Sequence, residues 1–206
     1  MTVRFRRSFR VSRRLGLDIW GISKDPVHKK NYRPGVHGQS SIRKSSDYGK
    51  QLGAQLAIRT HYCMKQYQLK SFYIKASKTK ENTIDSLAGA LESRLSAILF
   101  RSNLYPTMRS AHLAVSHKHI LVDGKYVMSA SYIVKPGSKI EIIEKQKNNQ
   151  NVLQAIKNTN VVNVDYLDVD KESRKVVYLR VPYYSEVPYS FQANMNLVIE
   201  FFSKMV

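Results

Sequence analysis

Apolar residues at helical spacing are clearest between positions 84 and 99. Ile84, Leu87, Leu91 and Leu95 recur at intervals of three and four residues, so they share one face of an α-helix. An Asn-Thr pair precedes them and supplies an N-cap. The spacing predicts a single helix through residues 84–99.

Weaker helical patterns flank this stretch. Apolar residues between 52 and 76 predict two consecutive helices that begin after Ser46 or Asp47, since either residue can cap a helix. On the other side a proline ends the long helix. Thr107 can cap a further helix that reaches about Lys118.

From residue 119 the apolar pattern alternates with a period of two, which is typical of strands. Asp123 and Gly124 separate residues 119–122 from 125–127. A two-residue hairpin turn needs positive φ at both positions, and Asp-Gly suits it. The pattern predicts a hairpin, followed by a Pro-Gly turn and a strand at 139–142.

The carboxyl-terminal part has a weaker strand pattern. Beyond a polar break at 148–151, residues 162–169 and 176–181 predict two strands joined by a turn at 170–173. Residues 196–202 are mainly apolar and predict a strand or a short helix.

These elements predict an α+β protein. It combines a helical amino-terminal domain bearing an extended basic arm, two helices packed on a short antiparallel hairpin, and carboxyl-terminal strands. The predicted segments are the basic, loop-rich arm 1–46, the helical domain 47–90, the helix-helix-hairpin module 91–150, and the strands and tail 151–206. Prolines and glycines interrupt the arm, so we expect at most one short helix there, ordered only with a partner.

Charge is graded along the chain. The 206 residues include 34 Lys and Arg against 15 Asp and Glu, a net charge of +19. Residues 1–50 carry 13 basic and 3 acidic side chains, whereas 151–206 carry six of each. This excess favours a polyanionic partner, and the gradient indicates an anion-facing arm and a tail suited to protein contacts.

Residues that support catalysis or metal binding are sparse. Cys63 is the only cysteine, which excludes an intramolecular disulfide or a cysteine-based zinc cluster. His117 and His119 form a weak metal candidate, and three aspartates between 165 and 170 are typical of a solvated strand face. We expect no metal, no cofactor and no enzymatic activity. No stretch approaches the roughly 18 apolar residues of a spanning helix, so we expect no membrane partner.

Arginine and aromatic residues are mixed in the arm. Six arginines lie within the first 14 residues, near Phe5, Phe9, Trp20 and Tyr32. Guanidinium groups bind phosphate in a bidentate manner, and planar rings stack on exposed bases. The mixture favours RNA. A disordered, solvated tail is the alternative, and the interrupting prolines argue against a membrane-binding amphipathic helix.

A second basic set lies in the helix-helix-hairpin module. Arg94 and Arg101 are seven residues apart, and we expect both on one solvated face of the long helix, opposite its apolar stripe. The candidate RNA-binding side chains of the whole chain are Arg4, Arg6, Arg7, Arg10, Arg13, Arg14, Arg33, His37, Arg43, Lys44, Tyr48, Lys50, Arg59, Arg94, Arg101, His112, His117, Lys118 and Lys125.

Short blocks in order along nearly the whole chain carry a family resemblance. They are S-R-R-L-G at 12–16, P-G-V-H-G at 34–38, S-D-Y-G-K-Q-L at 46–52, L-E-S-R-L at 91–95, V-S-H-K-H-I-L-V-D-G-K at 115–125, S-Y-I-V-K-P-G at 131–137 and N-L-V-I-E-F-F-S-K at 196–204. Together they resemble the small-subunit ribosomal protein four family. Ser93, Ser96, His112 and Asp123 stand where that family usually has Gly, Asp, Arg and Asn.

The resemblance implies a structural constituent of the small ribosomal subunit. Such a protein binds small-subunit rRNA at a helical junction of the five-prime domain, nucleates assembly, and lines the mRNA entry path beside small-subunit protein five. It implies no independent homo-oligomer. The alternative is an RNA-modifying enzyme with the same module, such as a pseudouridine synthase. That enzyme needs a further catalytic domain, and the other blocks already account for the chain.

Composition also suggests a compartment. Abundant Lys, Asn, Ile, Tyr and Ser with few Ala are typical of an AT-rich genome. We therefore expect the mitochondrial matrix, in the small mitoribosomal subunit, with the bacterial cytoplasm as the alternative. The arginine-rich start is similar to a transit peptide. Because the family signature begins at residue 12, we expect no removable presequence.

Overall fold

A computed structural model describes residues 8–21, 25–40, 46–147, 149–157 and 164–205. The helices are α1 (Ser8–Leu15), α2 (Asp47–His61), α3 (Gln66–Ala76), α4 (Thr83–Glu92), α5 (Leu95–Arg101), α6 (Met108–Ser116), α7 (Gln150–Lys157) and α8 (Met195–Ser203). The strands are β1 (Ile120–Val122), β2 (Lys125–Tyr126), β3 (Lys139–Ile142), β4 (Leu167–Asp170) and β5 (Lys175–Tyr178). The predicted α+β class is confirmed.

The backbone contacts group the chain into two units. Unit 1 comprises residues 1–78 and 189–206, and unit 2 comprises residues 79–188. The segment 151–206 therefore contributes to both units. Its last residues form helix α8, one of the two alternatives predicted for them.

Unit 1 is built around α2, which packs against α1 and α8, while α3 also packs on α8. Ser46 caps α2, because its Oγ accepts a hydrogen bond from the Gly49 backbone N–H at 3.2 Å. The two consecutive helices predicted here are confirmed. Between them the chain turns at Cys63, which is buried and has a φ of 50°.

The basic amino-terminal segment is anchored within unit 1. Ile19 is fully buried, and its carbonyl lies 3.0 Å from Nδ1 of the buried His61. Ser190 Oγ donates to the same carbonyl at 3.1 Å. The one short helix expected in the arm is α1. The expectation that the arm is ordered only with a partner stays a prediction.

Unit 2 begins with α4, and here the prediction of one helix through residues 84–99 is wrong. α4 ends at Glu92, and Arg94 has an extended backbone with φ −71° and ψ 138° before α5 starts. The Val134 N–H donates to the Ser93 carbonyl, and Arg94 forms a strand-like bridge with Ile133. These pairings with a distant segment replace the helical hydrogen bonds, while the apolar spacing continues across the break.

The described residues of unit 2 form a five-stranded sheet in the order β2-β1-β3-β5-β4, with antiparallel neighbours. Asp123 and Gly124 have φ of 49° and 76°, which the predicted hairpin turn requires. The Asp123 carboxylate also accepts the Lys139 N–H at 2.8 Å. The predicted hairpin and following strand are confirmed.

Helices α5 and α6 contribute one side of the core of unit 2, and the sheet contributes the other. Leu95, Val115, Ile140 and Val176 belong to this cluster and are fully buried. Thr107 caps α6 as expected, with Oγ1 accepting from the Ser110 N–H at 3.1 Å. Helix α7 was not predicted, because its first residues belong to the polar stretch 148–151, which was interpreted as a break between elements.

Candidate nucleic-acid interface

Helix α1 presents arginines to solvent in unit 1. Arg10 and Arg14 are exposed, whereas Arg13 is half-buried. Arg13 donates to the Tyr32 carbonyl at 3.3 Å and lies 4.9 Å from the centre of that ring, a cation–π distance. Arg13 therefore holds the chain near residue 32 in place, while Arg10 and Arg14 remain available to an anion.

A cleft of about 540 Å³ brings together three predicted side chains, Arg14, Arg33 and Lys50. We call it the basic cleft. Gly53 and Ala54 follow Lys50 by three and four residues, so all three lie on one face of α2. Leucines and the buried Phe191 add apolar lining. Its size is that of a small-ligand site, and its polar groups are cationic apart from side-chain amides.

Lys50 is not wholly free in the basic cleft. Its ammonium donates to Asp47 at 2.9 Å, with both side chains largely exposed. This hydrogen bond holds the pKa of the Asp47 carboxyl below its usual value. Arg14 and Arg33 are exposed, and they are the stronger candidates for phosphate, because an exposed guanidinium offers a preorganised pair of donors.

The remaining candidates of unit 1 are dispersed. His37 is exposed, in a turn where Gly35 has a φ of 113°. Tyr48 is 58% exposed at the start of α2. Arg59 is half-buried, and burial lowers its pKa. The candidates Arg4, Arg6, Arg7, Arg43 and Lys44 lie outside the described residues.

A second set of basic residues lies between the end of α6 and the hairpin turn in unit 2. His117, Lys118 and Lys125 are all exposed there, and we call these three residues the hairpin surface. Lys118 has a φ of 60°, which turns the chain from α6 into β1. The His117 and His119 rings stack at 5.8 Å. Lys118 follows the end of α6 and Lys125 begins β2 beside the hairpin turn, so the helix end and the hairpin each present a cation that can position a phosphate.

Arg94 is buried in unit 2, and His112 is half-buried there. Arg94 is 1% exposed and donates through Nη2 to Ser131 Oγ at 3.3 Å. His112 is half-buried on α6. Burial, and to a lesser extent the nearby Arg94 charge, lower the pKa of His112. The expected position of Arg94 on a solvated helix face is wrong, because residue 94 lies at the break before α5.

Arg101 is also buried, and its expected solvated position is wrong. Its Nη2 donates to Glu92 Oε1 at 2.9 Å, and its Nη1 donates to the Pro188 carbonyl at 2.7 Å. Tyr166 donates its hydroxyl to the same carboxylate at 3.1 Å. A carboxylate buried in an apolar helix needs such partners. In the sequence, the sign of this buried pair was an acidic residue, Glu92, among the apolar positions of the helical stripe.

Metal-binding clusters and membrane-spanning helices are both absent from the described part of the chain. Among its residues, no group of three or more His, Cys, Asp and Glu side chains could hold a metal ion. None of the helices there is both long enough and apolar enough to span a bilayer.

Comparison with known proteins decides the family. Residues 4–92 match the model of the ribosomal protein S4/S9 N-terminal domain, and residues 93–140 match the S4 domain. A small ribosomal subunit protein uS4 of Ehrlichia ruminantium (strain Gardel) is 48% identical over 198 residues, covering 96% of this chain and 98% of the relative. The chain belongs to the uS4 family.

Other uS4 relatives extend the match. The protein of Ehrlichia canis (strain Jake) is 47% identical over 96% of this chain and 98% of its own. That of Wolbachia sp. subsp. Drosophila simulans (strain wRi) is 44% identical over 99% of this chain and 100% of its own. The family resemblance in the sequence is thereby confirmed. The boundary between the two matched uS4 domains coincides with the break between α4 and α5.

Proposed function

We propose that this chain is a structural, non-catalytic constituent of the small ribosomal subunit that binds its rRNA. Its relatives are named small ribosomal subunit proteins, and the S4 domain is an RNA-binding domain. The observation that carries the proposal is the basic cleft, where Arg14, Arg33 and Lys50 line one concave surface. Cations in such a concavity attract the phosphate backbone.

The basic cleft suits a phosphate flanked by a base or sugar. Its guanidinium groups are exposed and can bind phosphate oxygens in pairs. Its apolar lining can contact the less polar faces of a nucleotide. The hairpin surface adds point charges on unit 2. We assign rRNA contacts to both, with Arg10 and His37 as further contacts, and we withdraw Arg101 because it is committed to Glu92.

The position of this protein in the small subunit is part of the same proposal. We propose binding at a helical junction of the five-prime domain early in assembly, near the mRNA entry path and beside small-subunit protein five. We also propose the mitochondrial matrix as the compartment, on the composition typical of an AT-rich genome, with the bacterial cytoplasm as the alternative. Identification of the genome that encodes the chain separates these two compartments.

The decisive experiment measures affinity for a five-prime-domain rRNA fragment across a salt series. The variant Arg14→Ala/Arg33→Ala is expected to bind roughly tenfold or more weakly, since hydrogen bonds to charged groups contribute about 1.5–3 kcal/mol each. The slope of log affinity against log salt should fall by roughly 0.7–0.9 for each phosphate that the variant no longer neutralises.

The matched control is Lys78→Ala/Lys171→Ala, which removes two exposed cations elsewhere. This variant should change affinity much less. Equal weakening by both double variants would mean that only net charge matters, and the assignment of the basic cleft would be wrong. For the hairpin surface the suitable variant is Lys118→Asn, because asparagine tolerates the positive φ at that position.

A further inference from the structure

Unit 2 has a groove whose charged lining residues are acidic, whereas those of the basic cleft in unit 1 are mainly cationic. The groove, of about 500 Å³, lies between α4 and residues 181–183. Glu81, Asn82, Asp85 and Ser86 line it from the α4 side. Its lining residues, all within the described part of the chain, include two acids and no base. Lys80 precedes Glu81 in the chain but does not line the groove.

The opposite wall is apolar and exposed. Val181 and Tyr183 line it and are 48% and 62% exposed. They lie two residues apart in a short segment outside the described helices and strands. Pro182, between them, is buried, and Arg180, which precedes them, donates to Glu186 at 2.7 Å. Neighbouring exposed apolar side chains of this kind mark interaction sites.

This wall is held firmly against α4. The Tyr184 N–H donates to the Asp85 carboxylate at 3.1 Å. A Cβ added at Gly89 would lie 2.5 Å from Val181 Cγ1 and 3.2 Å from the Pro182 carbonyl, so only glycine permits this approach. The groove is therefore a preformed feature of unit 2, which lowers the entropic cost of binding.

We propose that this groove binds an extended, lysine- or arginine-rich segment of a partner protein. Its cations pair with Glu81 and Asp85, and its apolar side chains pack on Val181 and Tyr183. RNA does not fit, because its phosphates would meet two carboxylates and no cation. Apolar and aromatic side chains beside complementary charge are the usual composition of a protein interface. This surface is distinct from the rRNA contacts proposed above.

The test uses the full chain and labelled nonapeptides in which leucine alternates with lysine, glutamate or serine. The lysine-leucine peptide should bind most tightly, despite the net charge of +19 on the chain. Glu81→Lys and Tyr183→Ser should each weaken it roughly tenfold, about 1.4 kcal/mol. The matched controls are Glu172→Lys and Tyr67→Ser, which change exposed residues outside the groove and should bind the peptide as the unaltered chain does.

Affinity for the rRNA fragment is measured on the same variants, and circular dichroism checks their folding. The groove variants should keep their rRNA affinity. The inference is overturned if glutamate-leucine or serine-leucine peptides bind as tightly, or if the groove variants do not weaken the lysine-leucine peptide. Loss of rRNA affinity in the groove variants would instead make the groove part of the RNA surface. A failure of the unaltered chain to bind rRNA would count against the proposed function only.

Discussion

Arginines occupy opposite environments in the two units. In unit 1, Arg14 and Arg33 are exposed and line an open cleft. In unit 2, Arg101 is 7% exposed and is paired with Glu92 at 2.9 Å. In the sequence, the arginines of both units are predicted in the same way to bind RNA. Depth and the nearest carboxylate decide whether a guanidinium can bind phosphate or instead completes the core.

The physical difference lies in desolvation. An exposed guanidinium keeps its water until phosphate replaces it. A buried one must recover its hydration energy from fixed partners. Arg101 does so through Glu92 and the Pro188 carbonyl, and Tyr166 completes the hydrogen bonding of the carboxylate. The two environments therefore predict different effects of substitution: weaker binding in unit 1 and lower stability in unit 2.

The largest expected effect is on the buried pair. Arg101→Met leaves the Glu92 carboxylate buried without its main counter-charge, and the free energy of unfolding of unit 2 should fall by roughly 3–5 kcal/mol. Chemical denaturation followed by circular dichroism measures this decrease. Arg180→Met, which breaks the exposed pair with Glu186, is the control and should have little effect.

A double variant tests whether the unpaired buried charge causes this loss of stability. Glu92→Gln/Arg101→Met removes both charges while keeping an acceptor for the Tyr166 hydroxyl, and it should recover much of the stability that Arg101→Met alone removes. If the double variant is as unstable as the sum of the two single variants, desolvation of an unpaired charge is not the cause.

The next effect concerns the polar anchor of the basic segment in unit 1. His61→Ala removes a buried ring that contacts the Ile19 carbonyl, stacks on Trp20 and meets Tyr189 and Phe191 edge-on. The free energy of unfolding should fall by roughly 2–4 kcal/mol, because a cavity forms and a hydrogen bond is removed. Chemical denaturation measures the decrease.

Hydrogen exchange on the same variant tests the order of the arm. In the unaltered chain without RNA, the amides near Ile19 should be protected, and His61→Ala should reduce this protection. Unprotected amides in the unaltered chain would show that the anchor forms only when RNA is bound.

A smaller effect, of opposite sign, is expected in the lining of the basic cleft. At Gly53 an added Cβ would lie 3.4 Å from Leu15 Cδ2, a van der Waals contact. Gly53→Ala should therefore stabilise α2 by about 0.4–1 kcal/mol, because alanine loses less entropy in a helix. Gly89→Ala, which meets Val181 at 2.5 Å, should be destabilising instead.

The smallest effect is a pH dependence of unit 2. Burial lowers the pKa of His112 and of His119, with smaller contributions from the Arg94 charge and from His117 respectively. The folded state therefore binds fewer protons than the unfolded chain, so stability is highest above roughly pH 6.5 and decreases as the pH falls through that value. Denaturation between pH 7 and pH 5.5 measures the decrease. His112→Gln/His119→Gln should reduce it.

Local signals predicted much of the fold. Ser46 and Thr107 cap helices because a side-chain oxygen can replace a missing backbone acceptor, a property of a few neighbouring residues. Asp123-Gly124 forms the hairpin turn for an equally local reason, the positive φ of both residues. Family blocks spread along the chain predicted membership of the ribosomal family without any structure.

Long-range pairings could not be predicted in the same way. The break at Ser93 and Arg94 depends on hydrogen bonds with residues about forty positions away, while the apolar spacing continues through it. The basic cleft forms where four separate segments of the chain meet, and no motif in the sequence predicts that they do. Arg101 was assigned to a solvated face because helical spacing predicts which side of a helix a residue lies on. It does not predict which other segments pack on that side.

The α+β class, the caps and turns, the graded positive charge and the family could be predicted from the sequence, because each follows from neighbouring residues, from short blocks or from composition. Which cations are available to a ligand depends on the tertiary structure. It buried Arg94 and Arg101, exposed Arg14 and Arg33 in one cleft, and placed Glu81 and Asp85 opposite an apolar wall. The reason is that the state of a charged side chain depends on desolvation and on partners far away in the chain.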